Sequence, residues 1–276
     1  MNARQEFYFV VRQAVDDLAR HGFDSIERVA RWEARIRKAA EKFAAPRPLM
    51  EQRLKAIYLS TYKRLVENKG IAKYHKGVER FTLTQVGTQL RSELDRRIAA
   101  SAALIQRNRQ EAINKTLQRF SGWSTSIPKG GSDATDKPEA KSNIKKALVS
   151  LPFEERRVLI DQGHKLTASL NNIIAKDAGA IALIWRSNWR QPGYDYREDH
   201  KERDERVYAI RDSWAFQEGY AKPGKAGYYD TITAVAEEPY CRCYAQYLYT
   251  LSALPKDMLT RKGAEALNAA KKELAA

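Results

Sequence analysis

This chain is predicted to be an α+β protein, with a long-helix N-terminal region followed by a small mixed α+β module around a short antiparallel sheet. Three features carry that expectation. Apolar residues recur at helical spacing as far as Phe120, a tract rich in Gly, Ser, Pro and Asp follows at 121–141, and short apolar runs separated by turn signals come after it. The implied organisation is a basic helical region at 1–120, a flexible linker at 121–141, the module at 142–255 and a helical tail at 256–276.

Phe7, Val10, Ala14 and Leu18 share one face of a first helix, which Gly22 should stop. Asp24 or Ser25 can cap a second helix, whose Ile26, Val29, Ile36 and Phe43 turn to one side and which Pro46 and Pro48 close. A third is expected from about Leu49 to Val66 through Leu54, Ile57, Tyr58 and Leu65, with Asn68-Lys69-Gly70 as its exit. The longest begins near Thr82. Its stripe, Leu83, Val86, Leu90, Leu94, Ile98, Leu104, Ile105, Ile113, Leu117 and Phe120, covers about 38 residues, or roughly 55 Å at 1.5 Å per residue. So long and narrow a stripe needs the earlier helices or a neighbouring subunit to cover it.

Within the module, Ser150-Leu151-Pro152-Phe153 reads as a helix start with proline in the first turn. Val158, Leu159, Leu166, Leu170, Ile173 and Ile174 carry that helix towards Asp177-Ala178-Gly179. Residues 180–185 are short and apolar enough for a buried strand, and 207–210 and 240–249 read as two more. Pro192-Gly193, Pro223-Gly224 and Gly227 turn the chain between them, and the charged stretch 194–206 includes a short helix. The Ala/Lys/Glu-rich tail after Pro255 has few large apolar residues to hold it.

The formal net charge of +15 is unevenly placed: residues 1–120 hold 25 Lys and Arg against 13 Asp and Glu, and the rest hold 24 against 21. A basic half favours contact with a polyanion, double-stranded DNA without sequence preference being the obvious one, although a Lys/Arg-rich solvated surface gives the same counts. No window approaches the roughly 18 apolar residues of a membrane span. The first six residues lack the apolar run of a secretory signal, and no glycine-rich phosphate loop is present. Two cysteines give no disulfide framework and suit a reducing compartment.

Both cysteines fall in one triplet, Cys241-Arg242-Cys243. Two residues apart on a strand, their sulfurs would face the same way. With His200 they offer three metal ligands of the kind zinc prefers, and Asp199 or Asp195 is the candidate fourth. The same residues also read as small apolar side chains beside a hydrogen-bonded histidine, with no cofactor at all. A cysteine hydrolase would pair Cys241 or Cys243 with His200 and an Asp, yet neither a glycine-rich turn nor a helix start follows them to supply oxyanion donors. A metal-dependent nuclease would use His200 with Asp195 and Asp199. The charge run from Glu198 to Arg206 reads more simply as solvated ion pairs. Trp185, Trp189, Trp214 and the tyrosines 228, 229, 240, 244, 247 and 249 read as packing more readily than as stacking platforms.

In order, residues 160–255 show a helix, an apolar strand ending at Trp185, Asp195-Tyr196-Arg197-Glu198-Asp199-His200, a short strand, and Pro239-Tyr240-Cys241-Arg242-Cys243. This order resembles the Mu F-like head morphogenesis proteins of tailed bacteriophages, also called minor capsid proteins. The resemblance covers roughly the last third of the chain and rests on Asp195, Arg197, His200, Pro239, Cys241, Arg242 and Cys243. The family often has a glycine shortly after the histidine segment, where this chain has Asp204-Glu205-Arg206, and the tract 186–194 is expanded. The resemblance implies a non-enzymatic virion component with portal and capsid proteins as partners, located in the head interior or near the portal.

Overall fold

A computed structural model describes residues 1–44, 47–67, 74, 75, 78 and 80–275. The protein is α+β, with long N-terminal helices and a three-stranded antiparallel sheet in its C-terminal part. The chain forms two compact units, Met1–Lys55 with Ala99–Leu159, and Ala56–Ile98 with Ile160–Ala276. The division therefore falls inside three helices and not at 121–141.

In the first unit, α1 (Ala3–His21) opens with a reciprocal cap: the Asn2 side chain accepts from the Gln5 backbone, and the Gln5 side chain from that of Asn2. Ser25 caps α2 (Ile26–Phe43). Phe7, Leu18 and Ile36 pack with Ile113 and Phe120 of α5 (Gly87–Thr125) and with Ile144 and Leu148 of α6 (Lys137–Asp177). Ile26, expected on the inner face, is exposed.

The segment expected to be an open linker is helical at both ends, 121–125 in α5 and 137–141 in α6. Between them the chain folds back on the end of α1: Gly130 N–H donates to His21 O at 3.1 Å and Ser132 N–H to Ala19 O at 2.9 Å. Gly22, at φ 75°, permits this approach, since a Cβ there would lie 1.9 Å from Pro128 O. Nor does Ser150-Leu151-Pro152 start a helix. α6 begins at Lys137, where Asp136 Oδ1 accepts from Glu139 N–H, and Pro152 sits in its interior. An exposed proline can be carried inside a long helix at the cost of one backbone hydrogen bond.

Helix α3 (Arg47–Tyr62), which runs from the first unit into the second, continues into a π-helical turn, Lys63–Glu67, with Leu54, Tyr58 and Leu65 buried and Ile57 exposed. The expected closures at Pro46 and at Asn68-Lys69-Gly70 lie outside the described residues. The long helix expected from Thr82 is broken at Val86, which separates α4 (Arg80–Gln85) from α5. In α5, Leu90, Leu94 and Ile105 are buried while Leu104 is largely exposed.

The sheet has the order β2-β1-β3, with β1 (Ala182–Arg186) antiparallel to both β2 (Val207–Ala209) and β3 (Tyr244–Leu248). Strand alternation gives it two covered faces. Leu183, Trp185, Tyr208, Ala245 and Tyr247 pack on one side with Ala175, Cys241 and Cys243. Ala182, Ala209 and Leu248 pack on the other with Ala215, Leu254 and Met258. A short helix, α7 (Glu198–Glu202), precedes β2; α8 (Trp214–Gln217) follows it; and α9 (Arg261–Ala275) ends the described chain. Among the described residues, no helix is long and apolar enough to cross a membrane.

Candidate metal centre

Cys241-Arg242-Cys243 was expected inside a strand, but it precedes β3 as irregular backbone. Its N–H groups are committed elsewhere. Tyr240 N–H donates to Asp161 Oδ1 at 2.6 Å, Cys241 N–H to Glu238 O at 3.2 Å and Arg242 N–H to the Tyr194 hydroxyl oxygen at 3.1 Å. Tyr240 itself adopts φ 61°, a left-handed conformation that a bulky residue takes only when its surroundings impose it.

This loop brings both sulfurs to one nitrogen. His200, on α7, places Nδ1 3.5 Å from Cys241 Sγ and 3.5 Å from Cys243 Sγ. The three donor atoms lie within 4.8 Å of one another, and all three residues are buried. His200 also meets the edge of the Trp185 ring, with centroids 5.3 Å apart, and Arg203 stacks over the same tryptophan.

Arg197 ties the two segments together. It pairs with Glu238 through Nε at 2.6 Å and donates from Nη2 to Pro239 O at 3.0 Å. The Arg242 carbonyl accepts from Asn188 Nδ2 at 2.7 Å. Asp199 and Asp195, the candidate fourth ligands, do not join the group. The Asp199 carboxylate lies at the opposite ring edge, 3.8 Å from Nε2, and pairs with Arg203 at 2.7 Å. Asp195 is exposed and outside the cluster.

The donor set fits a metal ion. The Cys243 thiol hydrogen-bonds to Cys241, which together with backbone donors holds the Cys241 pKa down against burial. The same pairing, with burial, drives that of Cys243 upwards. A cation bound by both sulfurs would displace the remaining thiol proton and leave two thiolates. Buried groups are in place to serve such a state. Trp185 Nε1 and Ser187 Oγ have no hydrogen-bond partner among the described residues, and both can donate to a Cys243 thiolate. His200 Nε2 is likewise buried with no hydrogen-bond partner among the described residues, and Glu238 Oε2, 3.5 Å away, is a carboxylate that could take its proton-bearing side and steady a ligating imidazole. His200, Cys241 and Cys243 can therefore hold a metal.

Several contributors carried no signal in the sequence. Asp161 stands 79 residues from the tyrosine it fixes, and Tyr194 and Asn188 act through the Arg242 backbone. Glu238 adjoins Pro239 and could have been read from that proximity. Asp204 reads as part of a solvated charge run. Instead it is nearly buried and accepts from Ser187 N–H and from Trp189 Nε1, each at 2.9 Å. No family model matches this chain, and neither do the curated proteins or the solved structures compared with it.

Proposed function

We propose that this chain is a structural minor head protein of a tailed bacteriophage, of the Mu F-like kind, and that zinc bound by His200, Cys241 and Cys243 braces its C-terminal unit. The carrying observation is the convergence of two segments about 40 residues apart, the Asp-x-Arg-x-x-His segment and the Pro-x-Cys-Arg-Cys segment, on one buried point. A tetrahedral zinc with bonds of about 2.3 Å to sulfur and about 2.05 Å to nitrogen holds nitrogen and sulfur roughly 3.5 Å apart, the spacing seen here from Nδ1 to each Sγ. Burial supports a brace over turnover: Cys241, Cys243 and His200 are 1%, 4% and 2% exposed. The zinc would tie α7 to the Cys-Arg-Cys loop, and the chain's own residues would hold it there. The basic half, 25 cationic against 13 anionic side chains over 1–120, suits contact with packaged double-stranded DNA through its phosphates. Portal and capsid proteins are the proposed protein partners.

Two measurements test this reading. Elemental analysis of the purified chain should find about one zinc per molecule, lost in H200A and C243S together with several degrees of unfolding temperature. The chain should also co-sediment with phage heads that carry portal and not with heads that lack it. A metal-free protein that unfolds like its C243S variant would remove the brace. Head-independent behaviour, with a substrate turned over through Cys241, would overturn the structural role.

A further inference from the structure

Arg242 is the member of the triplet whose side chain the metal centre does not use. We propose that Arg242 and His164 form an oxyanion pocket for a phosphate-bearing small molecule with a planar ring. A cavity of about 350 Å³ opens between the His164–Asn171 face of α6 and the Arg242–Tyr247 stretch, and among the described residues no carboxylate lines it. That volume is enough for a small ligand.

The guanidinium lies 5.3 Å over the Tyr194 ring and has no ion-pair partner among the described residues. Its charge reaches His164, whose pKa falls below the ordinary histidine value, through burial first and Arg242 second. The one carboxylate that acts on His164, Asp161, is already engaged by Lys165 at 3.0 Å and by the Tyr240 N–H. A fork of N–H donors and an imidazole on the wall of one cavity, with Asp161 occupied, match a phosphate oxygen pair. Two other polar groups of the wall are spent internally, since the Thr167 hydroxyl donates to Gly163 O and Asn188 Nδ2 to Arg242 O, whereas the buried Tyr247 hydroxyl has no hydrogen-bond partner among the described residues. Tyr74 and Tyr244, edge to face with centroids 5.7 Å apart, add an aromatic lip for a planar group. This inference does not depend on the virion role, because the cavity and its charges stand whatever assembly the chain joins.

Two sources supply that chemistry, a free phosphate monoester and the phosphodiester of a nucleic-acid backbone. The test titrates the full chain by calorimetry with inorganic phosphate, adenosine monophosphate and an adenine dinucleotide. Saturable binding is expected for the phosphate and tighter binding for the mononucleotide, with at least a tenfold loss in R242Q. Arg242 makes its loop hydrogen bonds through backbone atoms, and its side chain contributes only the exposed contact over Tyr194, so R242Q should keep the wild-type metal content and shift the unfolding midpoint by no more than about a degree or two. T167E, which adds a carboxylate to the wall, should abolish binding independently. A dinucleotide that binds more tightly than the monoester, with the same R242Q loss, identifies backbone phosphate as the source; the reverse order identifies the free monoester. Absence of saturable binding at tens of millimolar, or binding unchanged in both R242Q and T167E, overturns the proposal.

Discussion

Lowering the pH from 7 to 5 should destabilise the unit that contains His75 by an amount its surroundings set. The ring is buried and stacks on Tyr247, with centroids 5.3 Å apart and planes 10° from parallel. Nε2–H donates to Asn171 Oδ1 at 2.9 Å, which leaves Nδ1 to accept from the Tyr249 hydroxyl at 2.5 Å. Burial is the larger influence and lowers the pKa from 6.5 to about 4, although the Asn171 bond opposes it. The unfolded ring therefore takes up a proton below about pH 6.5, while the folded ring refuses one until about pH 4. Stability is complete above the first value and lost progressively towards the second. The loss amounts to about 2 kcal/mol at pH 5 and about 3 kcal/mol at pH 4. Urea unfolding followed by tryptophan fluorescence measures it. H75Q should be weaker at pH 7 yet lose about 2 kcal/mol less than wild type between pH 7 and 5. N171D, which puts a carboxylate beside Nε2, should also shrink the acid loss. An H75Q protein whose stability falls as steeply as wild type would refute the reasoning.

Glu205 has φ 65°, and it and Arg206 together face Trp185, a bulge whose first residue is commonly glycine. Its ion pairs, at 3.7 and 3.8 Å, are exposed and worth little, so E205G should raise the urea midpoint by the equivalent of about 1 kcal/mol; a fall would show that those pairs matter. Since Pro152 lies inside α6, P152A should stabilise by about 1–3 kcal/mol, whereas a neutral result would favour a helix that begins there. G22A should lower stability by about 2 kcal/mol or more, read as a drop in unfolding temperature, because its Cβ would enter the space of Pro128 O.

Helix faces were legible because burial selects them at a fixed period: Phe7, Leu18, Ile36 and Phe120 are all fully buried. Signals that describe only local backbone were ambiguous. Proline is favoured in a first turn and costly in an interior, yet a long helix can carry that cost at an exposed position, so Pro152 did not mark the start of α6. The composition of 121–141 reported a lack of helical periodicity and was silent on contact. Gly22, Gly130 and Gly131, all at positive φ, let the 126–136 loop lie directly on the carbonyls that end α1. Glu205 is instructive in the same way, because the backbone there adopts the left-handed conformation that glycine would favour.

At the candidate centre, residue identity was readable and the reason for convergence was not. Strand alternation would aim two sulfurs the same way, but it would also have committed the N–H groups of 240–243 to a ladder. Those groups instead reach Asp161, Glu238 and Tyr194, and the left-handed Tyr240 turns the chain so that both cysteines reach Nδ1 of His200. A conformation of that kind costs about 1–2 kcal/mol and persists only where neighbours over-determine it. Asp161 holds the tyrosine N–H, while Arg197 holds the carbonyl of Pro239 and the carboxylate of Glu238. Each of these restraints comes from a residue distant in sequence, and their shared effect is a donor set whose spacing suits one small cation.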